Sequence, residues 1–152
     1  MLARMMAHSP IRNSYRITLW ANFFAGPIFA DMEKQFGLLR DEFNILGCLH
    51  EYGPLAAKHV CALTGRPKNS ISRAVSRLTA RDIVDRQSDS RDRRQSVLRI
   101  KPEGRRLYKQ ILPRFVAREA IMLSALSSEE RGQLDLLLGK LMAVHAEWSE
   151  SY

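Results

Sequence analysis

The chain has 152 residues, 45% apolar and 26% charged, so it is long enough for one domain with a substantial core and has a globular composition. Its apolar runs stop short of the roughly 18 consecutive residues that a membrane span needs, and its N-terminus lacks the apolar segment of a secretion signal, so we expect a cytoplasmic protein. The two cysteines lie in different segments and form no disulfide framework, and the formal net charge is +8.

The N-terminal part is predicted to hold a loose tail, residues 1–10, and then a helix from Ile11 to about Phe36. Apolar side chains at helical spacing form a broad stripe along this helix: Tyr15, Leu19, Trp20, Phe23 and Phe24. This stripe is too apolar for the surface of a small monomer. Gly26-Pro27 should kink the helix or divide it in two, because Pro27 cannot donate a backbone hydrogen bond.

The following elements predict a helix-turn-helix. A second helix is predicted over Asp41–Glu51, and Gly53-Pro54 ends it. Leu55 should add a short strand, and a third helix is predicted over Ala57–Leu63. Residues 64–67 then form a glycine-containing turn before the next helix, which is the order of elements that defines the motif.

The helix after this turn opens a basic stretch, residues 66–106. The stretch holds thirteen Lys or Arg residues and five acidic ones, a net charge of +8, whereas the remainder of the chain is balanced. Basic character confined to one small part of a chain is typical of a module that binds phosphates.

At about 100° per residue, this helix has one apolar face, formed by Ile71, Val75 and Leu78. The opposite face collects small or hydrogen-bonding residues and two arginines: Asn69, Ser72, Arg73, Ser76, Arg77 and Ala80. An ordinary exposed helix face mixes acidic with basic residues, but no acid stands between Lys68 and Arg81. We interpret the helix as one presented to a polyanion, rather than as an ordinary solvated face.

A short β-hairpin is predicted next. Val84 and Val97–Ile100 supply its apolar strand residues, and Ser88–Gln95 form a polar loop with an arginine-rich tip. A helix followed by such a hairpin is the layout of a winged helix. In that layout the helix suits the major groove and the arginine tip suits a narrow minor groove.

Two helices are predicted after the hairpin. The first runs from Pro102 to about Leu126 and should bend at Pro113. A capping box, Ser127-Ser128-Glu129-Glu130, opens the second, which extends to about Trp148. These helices and the first one carry more apolar surface than the helix-turn-helix could cover, which predicts a homodimer.

The helix and the wing resemble a known family. The run Asp89-Ser90-Arg91-Asp92-Arg93-Arg94, followed by Pro102-Glu103-Gly104, resembles the wing of MarR-type transcriptional regulators, and Asn69–Leu78 resembles their recognition helix. Two positions depart from the family pattern. Asp82 stands where the family usually has Gly at the helix end, and Lys101 stands where a Thr commonly caps the next helix.

The resemblance implies a mainly α-helical fold with a small β-hairpin wing. Residues 11–152 would form one domain, with a DNA reader at about 41–100 and dimerisation helices at about 11–36 and 102–148. A homodimer of this kind would bind a pseudo-palindromic operator in double-stranded DNA, as a repressor.

We predict a division of roles among the DNA contacts. Four residues of the recognition helix should face base edges: Asn69, Ser72, Arg73 and Ser76. Three should hold phosphates: Lys68, Ser70 and Arg77. In the wing, Arg94 matches the family's minor-groove arginine and Asp92 should orient it, while Arg91 and Arg93 should reach flanking phosphates.

MarR-like regulators often bind a small aromatic or phenolic anion in a cleft beside the dimerisation helices. The resemblance therefore implies such a ligand as the signal that releases the DNA. Tyr15, Arg16 and Trp20 are the candidate ligand residues, with Arg16 as the partner of the anion.

The cysteines offer alternatives. We interpret Cys48 and Cys61 as packed structural residues, and a thiol-based redox regulator stays as an alternative, although the first helix contains no cysteine. Cys48, His50, His59 and Cys61 have a zinc-like spacing, but residues two apart on a helix point about 200° from each other, so no metal is predicted. A further alternative is a DNA-repair enzyme that transfers an alkyl group to a cysteine. The sequence contains no catalytic motif, so we predict neither enzymatic activity nor a cofactor.

Overall fold

The computed structural model describes residues 7–88 and 96–146. The elements in chain order are α1 (Arg12–Phe36), α2 (Arg40–Tyr52), β1 (Leu55–Ala56), α3 (Ala57–Thr64), α4 (Lys68–Ala80), β2 (Val84–Ser88), β3 (Ser96–Ile100), α5 (Pro102–Met122) and α6 (Ser128–Ala143). The chain forms two compact units, residues 1–115 and 116–152. The mainly helical fold with a small hairpin is as predicted, and none of the helices in the described ranges combines the length and apolar character that crossing a membrane requires.

The first unit contains the hydrophobic core. It is formed by the apolar faces of α2, α3 and α4, the small sheet, the end of α1 and the first turns of α5. The predicted apolar face of α4 is confirmed as buried, since Ile71 and Leu78 are each 0% exposed, and Leu46 of α2 is also 0% exposed. Each such side chain contributes roughly 1.5–3 kcal/mol through burial, so this core holds the helix-turn-helix together.

Phenylalanine rings attach α1 to this core. The ring of Phe43 in α2 stacks on that of Phe115 in α5, with 4.4 Å between centroids. Phe29 of α1 meets the Phe115 ring at 5.4 Å, and Phe24 of α1 meets it at 6.2 Å, both edge to face. One ring of α5 therefore connects α1 and α2.

α1 runs undivided through Gly26-Pro27, so of the two predicted outcomes, a kink or a division, the structure excludes the division. Pro27 has no N–H to donate, so one backbone hydrogen bond is missing, and a proline inside an isolated helix destabilises that helix by about 3 kcal/mol. However, Ile28 and Met32 just beyond it are buried, and the packed rings of Phe24 and Phe29 flank it. Tertiary packing on both sides of the proline therefore outweighs the local cost.

The sheet has the strand order β1-β3-β2, and both pairings are antiparallel. Leu55 pairs with Leu98, and Val84 pairs with Ile100, so the predicted short strand and hairpin are both confirmed. β2 continues to Ser88, one residue into the predicted loop. Because β2 is an edge strand, its polar residues can pair with β3 and still face water.

The end of α4 shows how Asp82 makes a turn that usually requires glycine. Asp82 has a φ of +57°. Its N–H donates to the Thr79 carbonyl at 3.0 Å, and the Ile83 N–H donates to the Leu78 carbonyl at 2.9 Å. These two bonds form a Schellman motif, and the side chains of Ile83 and Leu78 are both buried in the core. The Asp82 carboxylate also pairs with the ammonium of Lys101, which connects this turn to the start of α5.

Gly104 allows α5 to begin directly against this turn. A Cβ added to Gly104 would lie 2.7 Å from the carbonyl oxygen of Ile83 and 2.9 Å from Cγ1 of Ile100. Both of these neighbours belong to the core region and cannot move freely. A side chain at residue 104 would therefore displace the strand ends from α5.

We expect Gly104→Ala to lower the free energy of unfolding by about 1–3 kcal/mol, because it overpacks a filled region. Gly132→Ala is the control, since Gly132 also lies inside a helix, its added Cβ would meet nothing within 4 Å, and no proline follows it. The control should stabilise the protein by up to about 1 kcal/mol, through helix propensity alone. Urea unfolding of both variants measures the difference, and equal effects would contradict this account of Gly104.

The second unit includes α6. Ser127 begins this helix as predicted: its Oγ accepts a hydrogen bond from the Glu130 N–H at 3.2 Å, and the Glu130 carboxylate accepts one from the Ser127 N–H at 2.7 Å. α5 ends at Met122, earlier than predicted, and the predicted helix end near Trp148 lies outside the described residues. None of the residues of α6 is buried, and several large apolar side chains are exposed: Leu136, Leu137, Leu141 and Met142.

Candidate nucleic-acid interface

The surface of α4 divides into two neighbouring ridges. Asn69, Arg73 and Ser76 lie at i, i+4 and i+7 and are exposed to solvent. Lys68, Ser72 and Val75 have the same spacing one residue earlier, and they line a cavity. The four predicted base-reading residues therefore do not lie on one ridge. Ser72 lines the cavity, whereas Asn69, Arg73 and Ser76 form the other ridge, which we call the solvent ridge.

Two residues of the solvent ridge make local hydrogen bonds. Asn69 Oδ1 accepts from the Ser70 N–H at 2.8 Å, which leaves the amide nitrogen of Asn69 as a donor. The Ser76 hydroxyl donates to the Ser72 carbonyl at 3.1 Å, which leaves the oxygen of Ser76 as an acceptor. Arg73, between them, has no hydrogen bond or ion pair within the described residues. The centre of the ridge is thus a free guanidinium with five donors.

The second ridge borders a cavity of about 290 Å³ between α3, α4 and the hairpin. Among the described residues, three cations line it, Lys58, Lys68 and Arg86, and no acidic residue does. Val75 and Leu98 contribute apolar lining. The Arg86 guanidinium is held by the Ser96 hydroxyl at 2.8 Å, which bridges the two hairpin strands. The cavity therefore combines apolar walls with a positive border, a chemistry that suits a small organic anion or a phosphate.

Arg77 does not simply face solvent. Its Nε donates to Oε1 of Glu42 at 2.6 Å, and Glu42 is 0% exposed. The second carboxylate oxygen of Glu42 accepts the Leu39 N–H at 2.7 Å, so Glu42 also caps the start of α2. The structure thus gives Arg77 an internal partner that we did not predict.

Two further arginines secure the helix-turn-helix. Arg66, in the turn before α4, forms a two-point ion pair with Asp41, with Nε at 2.6 Å and Nη2 at 3.1 Å from the carboxylate oxygens. The hydrogen bond with Asp41 raises the pKa of Arg66, which keeps it charged. Arg81, at the end of α4, donates to the carbonyls of Gly37 at 2.7 Å and Phe36 at 3.2 Å. Both ends of α4 are therefore tied to segments that flank the start of α2.

The predicted wing-tip residues Arg91, Asp92, Arg93 and Arg94 lie outside the described residues. The strands on either side are described: β2 ends at Ser88 and β3 begins at Ser96, and these two residues pair with each other. Ser88 and Ser96 therefore lie opposite each other at the described end of the hairpin.

The candidate ligand residues Tyr15, Arg16 and Trp20 all lie in the exposed N-terminal part of α1. Trp20 is 37% exposed and Tyr15 is 36% exposed. The three positions spread over about 140° of the helix circumference, so an enclosed site would need further residues, as the predicted dimer cleft would provide.

The cysteines are half-buried and both are free thiols. Cys48 and Cys61 pack against the core, as predicted, and Cys61 also lines the cavity beside α4. The ring of His50 packs against that of Tyr108, with centroids 4.8 Å apart and the ring planes tilted by 40°. Within residues 7–88 and 96–146, no group of three or more His, Cys, Asp or Glu side chains could hold a metal ion.

Burial raises the pKa of the Cys48 thiol. The thiolate is the reactive form, so we expect iodoacetamide to modify Cys48 more slowly in the folded protein than in the urea-unfolded protein at neutral pH. The reaction should speed up only at a higher pH than for the unfolded chain. Mass spectrometry after timed alkylation measures both rates, and equal rates at every pH would contradict the prediction.

Two features of this site could not be read from the sequence. Glu42 stands three residues after Leu39, the spacing of a helix-start carboxylate, but that spacing alone does not reveal the arginine that it also binds. Lys58 and Arg86 come from separate elements and meet only at the cavity. No sequence pattern around Lys58 would have predicted that it lines a cavity beside α4.

Comparison with known proteins supports this arrangement. The MarR family model matches residues 36–95, which include the whole helix-turn-helix and the first hairpin strand. No curated protein sequence matches the chain.

Solved structures share the fold over most of the chain. A MarR/EmrR family transcriptional regulator from Acinetobacter sp. ADP1 is similar over 89% of this chain and 95% of its own, at 22% identity and a TM-score of 0.80. The Bordetella bronchiseptica BpsR structure, which concerns the regulation of DNA binding by 6-hydroxynicotinic acid, is similar over 86% and 98%, at 21% identity and a TM-score of 0.75. The S. aureus MepR–DNA complex is similar over 86% and 96%, at 20% identity and a TM-score of 0.74.

The matched family and the structural neighbours are transcriptional regulators and not enzymes, so the repair-enzyme alternative is set aside. The family match spans the helix-turn-helix, and the fold likeness extends through the flanking helices. Residues 36–95 therefore match the MarR family, and the winged helix-turn-helix fold of the chain is the one found in solved MarR-family transcriptional regulators.

Proposed function

We propose that this regulator binds a specific site in double-stranded DNA as a homodimer and represses transcription there. The observation that carries the proposal is the solvent ridge of α4, in which Arg73 lies exposed between Asn69 and Ser76. No acid occurs between Lys68 and Arg81, so the whole exposed face of α4 is compatible with the major groove.

Within this proposal, the solvent ridge reads bases and the surrounding cations hold phosphates. The free guanidinium of Arg73 suits a two-point contact with guanine. The amide nitrogen of Asn69 is available to donate to a base. A two-point contact with adenine would also need Oδ1, which would first have to give up its hydrogen bond from the Ser70 N–H. Lys68, Ser70 and Arg77 take phosphates, and the wing residues keep their proposed roles: Arg94 in the minor groove, Asp92 as its orienting partner, and Arg91 and Arg93 on phosphates.

Exposed apolar residues support the homodimer. α6 buries none of its residues, and α1 exposes Ile17 at 48% and Phe23 at 62%. In α5, Val116 is 56% exposed and Ile121 is 74% exposed. Apolar surface on three helices fits the interface of a two-fold assembly.

Selection from a randomised pool of DNA duplexes tests the proposal. We expect the selected site to be a pseudo-palindrome whose half-sites lie roughly 10 base pairs apart, centre to centre. Light scattering should give two chains for each duplex. A monomer at micromolar concentration, or a selected site without two-fold symmetry, would contradict the homodimer. Reporter transcription from a promoter that carries the selected site then tests repression.

We further propose that a small aromatic or phenolic anion releases the DNA, which is supported by the BpsR structure and 6-hydroxynicotinic acid. One candidate site is formed around Tyr15, Arg16 and Trp20. The other is the cavity beside α4, where an anion would occupy Lys68 and Ser72 and so compete with DNA. A ligand shifts the equilibrium only by binding the DNA-free state better.

A panel of aromatic carboxylates, assayed for thermal stabilisation and for operator release, tests this part. Loss of release in Arg16→Ala, but not in Lys58→Ala, would place the ligand at α1, and the reverse result would place it in the cavity. If no compound in the panel acts, the ligand proposal fails while DNA binding stands.

The thiol-based alternative is favoured by one observation, the position of Cys61 in the wall of the cation-lined cavity. Under this alternative, peroxide would release the operator from the wild type and from Cys48→Ser, but not from Cys61→Ser. Release that persists in Cys61→Ser would exclude Cys61 as the sensor.

A further inference from the structure

Glu42 stands out because it is a fully buried carboxylate directly behind the DNA-facing helix. It is the one charged residue buried among those that the structure describes. Oε2 accepts the Leu39 N–H at 2.7 Å and Oε1 accepts Nε of Arg77 at 2.6 Å. Removing a carboxylate from water is costly, and an apolar residue often stabilises a fold as well as a buried ion pair does. The burial of the pair is therefore weak evidence that its role is to stabilise the fold.

The geometry of Arg77 suggests what the pair does. The contact with Glu42 uses Nε, and the two Nη atoms make no hydrogen bond within the described residues. The Arg77 side chain remains 53% exposed although its partner is 0% exposed. Arg77 follows Arg73 by one helical turn. One edge of the guanidinium is therefore anchored inside the protein, and the other edge is presented beside the ridge.

An arginine held in this way has lost its conformational freedom before it meets a ligand, so binding costs less entropy. Its planar fork also fixes the direction of the remaining donors, which a lysine could not do. Two Nη donors in a fixed plane match the oxygens of one phosphate.

We propose that Glu42 is a positioning residue for DNA binding: it anchors Arg77 through Nε so that the Nη edge takes one backbone phosphate. This inference rests on the proposed DNA-binding function. It assigns a role in binding to a residue that would not touch DNA.

The test is the affinity for a random-sequence duplex of about 30 base pairs, measured by fluorescence anisotropy at several salt concentrations, because phosphate contacts do not depend on sequence. We expect Arg77→Ala to weaken binding about tenfold and to reduce the salt slope by about one. We expect Glu42→Gln to weaken binding several-fold although it removes a negative charge near the DNA. Simple charge would give the opposite sign, so tighter binding by Glu42→Gln would overturn the proposal.

A double-mutant cycle separates positioning from a structural role. In the Arg77→Ala background, Glu42→Gln should leave the affinity unchanged or raise it, because no arginine remains to be held. An equal weakening in both backgrounds would overturn the proposal and show a general structural effect.

Asp41→Asn is the matched control, because Asp41 lies next to Glu42 in the first turn of α2 and its partner Arg66 uses both Nε and Nη2 on it. This control should not weaken binding, and a loss equal to that of Glu42→Gln would overturn the proposal.

If Glu42→Gln does not fold, as judged by circular dichroism, Arg77→Lys carries the test. It keeps the charge but cannot engage Glu42 and a phosphate from two fixed edges, so it should lose nearly as much affinity as Arg77→Ala. Wild-type affinity in Arg77→Lys would overturn the proposal. If the wild type itself binds no duplex, the DNA-binding function fails, and this outcome is distinct from a failure of the positioning role.

Discussion

Replacing Arg73 by alanine is expected to weaken binding to the selected operator by about 1–3 kcal/mol, roughly 5- to 150-fold. Arg73 occupies the middle of the solvent ridge and has no partner within the described residues, so its donors are available to a base. Binding to random DNA should fall much less. The measured quantity is the ratio of the two affinities at one salt concentration.

Lys68→Ala is the comparison for this prediction, because Lys68 lies in the adjacent ridge and is proposed to hold a phosphate. It should weaken binding to all sequences alike and flatten the salt dependence by about one. An equal loss for Arg73→Ala on operator and random DNA would contradict the reading role of Arg73.

The combined substitution Leu137→Glu and Leu141→Glu is expected to convert the proposed homodimer to a monomer and to abolish high-affinity operator binding. The two leucines are one turn apart on α6 and are 56% and 53% exposed, so single chains should tolerate the change. In an apolar interface, however, each carboxylate would lose its hydration at a cost of several kcal/mol. Light scattering and operator titration measure the two outcomes.

Gly139→Glu serves as the control for charge on the same helix, since Gly139 lies about 200° round α6 from Leu137 and an added Cβ would meet nothing within 4 Å. It should leave the dimer intact. If the doubly substituted protein keeps the mass of two chains, the proposed interface does not include this face of α6.

The sequence predicted the structure best where a feature depends on residues that are close to each other in the chain. The spacing of Ile71, Val75 and Leu78 predicted the buried face of α4, and Ser127 with Glu130 predicted the start of α6. Asp82 marked the turn at the end of α4, where the structure shows the left-handed backbone that the position requires. Each of these signals acts over a few residues, so neighbours in sequence are enough to reveal it.

The errors and omissions arise where distant residues decide the outcome. Gly26-Pro27 has the local pattern of a helix break, but the ring of Phe115, far along the chain, helps to pack α1 around it. Glu42 has the pattern of an exposed helix-start acid, and that pattern does not reveal its contact with Arg77, 35 residues later, or its burial. The cavity beside α4 likewise requires the positions of three elements at once. The roles of individual residues at the DNA stay predictions.

The two hydrogen bonds from Arg81 to the carbonyls of Phe36 and Gly37 have a mechanical consequence. They fix the last turn of α4 to the last turn of α1. A rotation of α1 about that end would therefore also rotate the recognition helix. In a two-fold assembly through α1, the tilt of α1 would therefore determine the spacing of the half-sites that the two recognition helices could reach. Each base pair added between the half-sites lengthens the duplex by roughly 3.4 Å, and both copies of α1 would have to change their tilt to match it.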